Sequence, residues 1–246
     1  SMLLNLVRDH RPDQVVVTFD RPEPTFRHQQ LDTYKATRSA TPDILREQMG
    51  LVRQVVTTLG LPIAEIAGWE ADDVIATLTD QAVDHGDDVI IVTGDRDSYQ
   101  LVSDPHVRVL YNKRGVSDYA LYDEAGILQR TGVRPDQYVH YAALRGDSSD
   151  NLPGVPGVGP KTAAKWLTAY DGLENLVRRV DEIGGKAGES LREHLDDVIR
   201  NRRLNALVGE LDLSLGMDEL TRHDWNREAV HTLFDALEFR VLRDRL

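Results

Sequence analysis

Apolar and polar positions along the 246-residue chain keep an α/β rhythm to about residue 122 and a helical one from 123 onward. Met2-Leu3-Leu4-Asn5-Leu6-Val7-Arg8 places apolar residues at helical spacing and reads as the end of a helix. Val15-Val16-Val17-Thr18-Phe19 is a continuous apolar run, the mark of a buried strand, and Asp20 closes it. Residues 21–43 carry three prolines and many polar side chains, among them Arg27, Lys35 and Arg38, with no regular period. Helical spacing returns over 43–59, with Thr41-Pro42-Asp43 as the expected cap and Gly60 as the stop. Residues 61–66 fit a short strand, and Asp72 to His85 a helix. Val89-Ile90-Ile91-Val92-Thr93 is the clearest buried strand, and Val107-Arg108-Val109-Leu110-Tyr111 is another. Strands alternating with helices predict a mostly parallel sheet flanked by helices, whose ligands bind beyond the carboxyl ends of the strands.

Past residue 123 the strand signal vanishes and glycines and prolines punctuate helical segments. The chain therefore divides into an α/β part over 1–122 and a helical part over 123–246. Composition is ordinary for a soluble globular protein, with 41% hydrophobic and 28% charged residues. Cysteine is absent, which excludes disulfides and thiolate metal sites and fits a reducing cytoplasm. No apolar stretch is long enough to span a bilayer, and the start lacks a signal-peptide pattern. A net charge of −12 argues against a nucleic-acid partner unless the acids are concentrated at bound cations, which invert the local field.

The acids are concentrated. Seven carboxylates fall in three clusters, Glu70-Ala71-Asp72-Asp73, Gly94-Asp95-Arg96-Asp97 and Gly146-Asp147-Ser148-Ser149-Asp150, and Asp20 makes an eighth. Each cluster lies at a predicted strand end or helix start. Acids near helix N-termini can simply complement the helix dipole, worth about 0.3–1 kcal/mol each. Several clusters at one sheet edge repel one another and require cations. Oxygen-only ligands suit Mg²⁺ or Mn²⁺, and two such ions about 3.5–4 Å apart serve in-line displacement at phosphorus.

Leu152-Pro153-Gly154-Val155-Pro156-Gly157-Val158-Gly159-Pro160-Lys161-Thr162-Ala163 exposes a row of backbone N–H groups ahead of a helix. Such a nest binds phosphate oxygens without reading a base. A lone Gly-x-Gly is only a tight turn, but the fuller pattern is that of helix-hairpin-helix DNA-binding elements. Pro160 between Gly159 and Lys161 rules out a nucleotide P-loop. Tyr34-Lys35-Ala36-Thr37-Arg38 reads either as solvated surface charge or, opposite an acidic metal site, as a grip on the scissile phosphate. The histidines show no metal-ligand spacing, and Trp69, Trp166 and Trp225 fit packing roles. The arginines and acids interleaved over 178–203 fit a solvated helical face.

In this order these motifs resemble the 5′-nuclease (flap endonuclease) domain of bacterial DNA polymerase I, along essentially the whole chain. The resemblance implies a PIN-like core with an arch over about 21–50 and a helix-hairpin-helix over about 144–170. By motif matching, Asp20, Glu70 and Asp72 would serve a first metal, and Asp72, Asp95, Asp97 and Asp150 a second, with Asp73 and Asp147 in an outer shell. Lys35 and Arg38 match cations on the cleaved phosphate; Tyr34, Gly154, Gly157, Gly159, Lys161 and Thr162 match DNA contacts, with K⁺ at the hairpin. The implied cofactors are two or more Mg²⁺ or Mn²⁺ ions. The implied partner is branched or nicked duplex DNA with a 5′ flap or 5′ end, bound by a cytoplasmic monomer or by a domain fused to a polymerase.

Family members begin with an apolar strand carrying Asp-Gly, and this sequence has neither. It is expected to open partway along the following helix, so a catalytically impaired, structure-specific DNA-binding module is the alternative. A PIN-type ribonuclease is a second rival, opposed by the hairpin.

Overall fold

The α/β rhythm of the sequence is realised as short strands set between amphipathic helices. The computed structural model describes residues 2–114 and 118–244. Helix α1 (Met2–His10) leads to strand β1 (Val17–Thr18), a short helix α2 (Phe26–Gln30) and the long helix α3 (Asp43–Thr58). Strand β2 (Ile63–Ala64), helix α4 (Ala71–His85), β3 (Val89–Thr93), β4 (Val107–Arg114) and β5 (Asp118–Tyr122) follow. Helices α5 (Glu124–Thr131) and α6 (Tyr138–Arg145) run into the tight pair β6 (Gly146–Asp147) and β7 (Leu152–Pro153). Helices α7 (Pro160–Tyr170), α8 (Leu173–Arg178), α9 (Gly185–Glu193) and α10 (Leu195–Asn205) follow, and a largely irregular span leads to α11 (Arg227–Ala236) and α12 (Arg240–Arg243). Parallel pairing joins β1 to β2 and β3 to β4, while β5 returns antiparallel on β4.

Two compact units form. One comprises residues 1–23, 39–74 and 212–246. Its core sets Val56, Leu59 and Leu61 at the end of α3 against Val230, Leu233 and Phe234 of α11. The other comprises 24–38 and 75–211. Its core joins Ile91 and Val109 of the sheet to Ile127, Tyr138, Leu144, Leu167 and Leu191 of the helices. Among the described residues no helix is long and apolar enough to cross a membrane.

Four local expectations need correction. The run 15–19 is regular only at Val17–Thr18 and is half-buried, because β2 offers just two residues to pair with. The run 89–93 is a strand, but Ile90 and Val92, two apart and so on one face, are 43% and 38% exposed, which leaves that face of β3 uncovered while Ile91 is buried on the other. The irregular span 21–43 contains α2, whose Arg27 is 1% exposed. Arg27 donates from Nε to the Leu204 carbonyl at 2.8 Å and from Nη2 to the Ala206 carbonyl at 3.0 Å, fixing α2 to the end of α10. The cap expected at 41–43 makes no side-chain hydrogen bond, and Pro42 takes the N-cap position of α3.

Candidate active site

The second unit gathers the cationic motif and two of the acidic clusters around one cleft of about 1160 Å³. It is lined by Thr33, Thr37, Arg38, Asp95, Arg96, Tyr111, Arg145, Asp147 and Gly154, among others. Strand β3 delivers Asp95 at its carboxyl end, as a parallel pair should. The Asp95 N–H donates to Thr93 Oγ1 at 2.9 Å, and the Asp97 N–H donates to Asp95 Oδ1 at 2.9 Å, so the turn after the strand is closed on its own side chains. Asp97 opens a 3₁₀ turn, Asp97–Leu101, whose Tyr99 is buried in the core.

The segment 33–38 is stitched to the acidic loop 147–151. Tyr34, 2% exposed, donates its hydroxyl to Asp150 Oδ2 at 2.8 Å. Arg38 Nη2 donates to Asp150 Oδ1 at 2.6 Å, and its Nε donates to the Ser149 carbonyl at 3.0 Å. Backbone follows side chain: the Lys35 N–H donates to the Asp150 carbonyl at 3.0 Å, and Asn151 Nδ2 donates to the Thr33 carbonyl at 2.7 Å. Lys35 and Asn151 take left-handed backbone angles, φ 55° and 57°, to make this fit. Lys35 Nζ lies 5.0 Å from the centre of the Tyr34 ring, a cation over an aromatic face. Asp150 is buried, so its charge is tolerable only with these donors in place.

Asp147 is held differently. Its Oδ1 accepts from the Ser149 N–H at 2.8 Å and from Ser149 Oγ at 2.5 Å. Its Oδ2 stands 3.7 Å from Arg145 Nη2. Burial raises the pKa of Tyr138, first residue of α6, and the nearby negative charge of Asp97 adds to the rise. A hydrogen bond with Tyr111 raises that of Arg96.

In the first unit, Asp20, Glu70 and Asp73 surround the start of α4. Asp20 Oδ1 accepts from the Ala71 N–H at 2.8 Å, and Asp73 Oδ2 accepts from the Glu70 N–H at 3.1 Å. Both satisfy donors that a helix start leaves without partners, so these acids do cap the helix. Asp73 is fully buried and Glu70 is 8% exposed, whereas Asp72 is half-buried in the first turn. Among the described residues no three acidic or histidine side chains stand close enough to form a complete metal site. The donor set is nonetheless all oxygen, with carboxylates at the carboxyl end of a parallel strand, and that chemistry fits hard divalent ions.

The glycine-rich loop divides its residues between core and surface. Val155 and Val158 are buried, and the Val155 N–H donates to the Leu144 carbonyl at 2.9 Å. Gly157 (φ 79°) and Gly159 face open space, so neither carries a packing contact that explains it. Gly154 differs: a Cβ there would collide with the Arg145 carbonyl and the Gly146 nitrogen, so this glycine lets two backbones approach. Gly159 is the N-cap of α7, with Pro160 at the first helical position and Lys161 and Thr162 in the first turn. Buried Asn201 of α10 donates to the Pro153 carbonyl at 2.7 Å and braces the β6–β7 pair.

Sequence reasoning missed Arg145 and Arg96 as cleft cations and Thr33, Thr37 and Asn151 as lining. Both arginines are neighbours of acids already singled out, and that adjacency was the available signal. Trp166 is a core residue, as expected, and the exposed Arg179–Glu182 ion pair fits a solvated face over part of 178–203, whereas the Arg200–Asp197 pair is half-buried.

The fold is a PIN-like α/β core with acids at strand ends and a helix-flanked glycine loop, and its sequence assigns it to a family. The 5′-3′ exonuclease N-terminal resolvase-like domain matches residues 1–132 and the C-terminal SAM fold of the same family matches 133–228; the chain belongs to the 5′-3′ exonuclease family. DNA polymerase I of Mycobacterium tuberculosis is 49% identical over 246 residues, all of this chain and 27% of that protein. The chain thus spans about a quarter of the length of the curated relatives it matches. Among solved structures, the T5 D15 protein co-crystallised with metal ions superposes with a TM-score of 0.72 at 22% identity, covering 82% of this chain and 79% of that one. The T5 D15 flap endonuclease complex with DNA and metal ions gives 0.69 at 22% identity, with coverage of 82% and 76%.

Proposed function

We propose that the chain is a divalent-metal-dependent 5′ nuclease that hydrolyses phosphodiesters at 5′ flaps, nicks and 5′ ends of DNA. The observation that carries this reading is the seam between Tyr34–Arg38 and Asp147–Asn151, which puts phosphate-binding cations beside carboxylates in one cleft. The T5 D15 structures, one with metal ions and one with DNA and metal ions, support the same substrate and cofactor class. Mg²⁺ or Mn²⁺ is the ion proposed, in two or more sites.

Asp20, Glu70 and Asp72 would hold one ion, and Asp95, Asp97, Asp147 and Asp150 another, with buried Asp73 orienting Glu70 through its N–H. When bound, such ions activate water and offset negative charge on the phosphodiester. Lys35 and Arg38 would bind the phosphate oxygens and stabilise the charge that grows on them as the bond to the leaving oxygen breaks. The seam to Asp150 fixes where Arg38 starts. Gly157, Gly159 and the first turn of α7 would hold downstream duplex backbone, with K⁺ at the loop carbonyls; the Pro156 carbonyl already accepts from Ser190 Oγ at 2.9 Å. A 5′-flap duplex, a nicked duplex and single-stranded RNA, each with Mn²⁺ and with chelator, test the assignment. Asp95→Asn should lower flap cleavage by about 100-fold or more while leaving DNA affinity equal or higher. Equal cleavage by variant and parent, or preference for RNA, would refute it.

A further inference from the structure

The cleft pairs Arg38 with Asp150 and Arg145 with Asp147, and the proposed reaction gives a role to the first arginine but not to the second. Arg145, last residue of α6, sits against Asp147 across the turn at Gly146 (φ 84°), with side-chain exposures of 20% and 15%. Its Nε donates to the Gly146 carbonyl at 3.2 Å, and its guanidinium lies 5.2 Å from the centre of the Tyr141 ring. The two oxygens of Asp147 are not equivalent. Oδ1 is occupied by both donors of Ser149, so Oδ2, at 3.7 Å from Arg145, is the one open to a competing cation. At that distance the couple is an ion pair and not a hydrogen bond, so it neutralises charge without locking geometry.

We infer that Arg145 is an exchange cation of this cleft. It balances Asp147 Oδ2 while no divalent ion is bound, and it contacts a phosphate of the DNA once that oxygen is engaged. The inference rests on the metal-dependent nuclease function proposed above. A guanidinium fork matches phosphate geometry, and the Tyr141 face holds its plane while the partner changes. Arg38, Arg96 and Arg145 line the same cleft, so a released guanidinium remains where phosphate would lie. Arg145 is then a positioning residue for substrate and a competitor for metal.

Two measurements on the full chain test this: calorimetric titration with Mn²⁺ alone, and binding of a 5′-flap duplex in Ca²⁺ over a range of salt. Arg145→Met should bind Mn²⁺ about fivefold or more tightly than the parent, because its competitor is gone. Its flap affinity should fall less steeply with salt, by about 0.9 in the log–log slope, the value of one lost phosphate contact. Arg145→Gln carries the same two expectations should the Met variant not fold, and Arg145→Lys should restore the slope. Unchanged or weaker Mn²⁺ binding, or an unchanged slope, in a folded neutral variant overturns the inference alone. A parent that binds no Mn²⁺ defeats the metal-dependent function and this inference with it.

Discussion

His140 shows how one residue's chemistry is set by the helices around it. It projects from α6, where Arg202 Nε of α10 lies 3.4 Å from its Nε2. Burial, and then the positive charge of Arg202, hold its pKa below the ordinary 6.5, against weaker opposing pulls from Glu174 and Asp136. The unfolded chain therefore takes up a proton at pH values where the folded chain does not. The resulting stability is fully present above about 6.5 and is lost as pH falls toward the depressed value. His140→Gln should flatten the loss of stability between about pH 6.5 and 5, read as urea midpoints across that range. A parent-like slope in the variant would assign the acid sensitivity elsewhere. Single residues were also where sequence reasoning reached furthest and where it stopped. Tyr34 and Arg38 were singled out by their resemblance to a family motif, but that both would end on Asp150, 116 and 112 positions away, is a fact of packing.

At the scale of elements, α3 and α4 were legible because each has a long helical period, and β3 because it is an unbroken run of β-branched residues. Helix α2 was not, since five residues cannot declare a period and what holds them is buried Arg27 reaching the carbonyls that end α10. Strand β5 was missed for a related reason: Asp118–Tyr122 is regular because β4 pairs with it, not because of its own pattern. The glycine-rich loop separates the two kinds of information within one motif. Gly154→Ala forces a methyl into the Arg145 carbonyl, an overpacking of about 1–3 kcal/mol, and should lower the thermal midpoint by several degrees. Gly159→Ala meets open space at φ −93° and loses only the N-cap preference of glycine over alanine, so it should melt closer to the parent than Gly154→Ala does, yet bind duplex DNA more weakly if the loop tracks phosphate. Melting curves and duplex titrations of the two variants check both statements; a Gly159→Ala protein that melts as low as Gly154→Ala and keeps parental affinity would reverse the assignment.

At the scale of the whole molecule, the chain folds as two interleaved units, and each assembles its own part of the acidic chemistry. The α/β character and the helical second half were readable from rhythm alone. Interleaving was not, because residues 24–38 join the unit of 75–211 through contacts that no local pattern encodes. The net charge of −12 keeps molecules apart in dilute salt. Against that repulsion stands β3, which ends its sheet with Ile90 and Val92 turned outward. An edge strand offers unpaired main-chain groups to a neighbouring polypeptide, and two exposed apolar side chains on its open face add to that attraction. Salt that screens the charge should therefore drive self-association, seen as scattering that grows with protein concentration, and Ile90→Lys should suppress it.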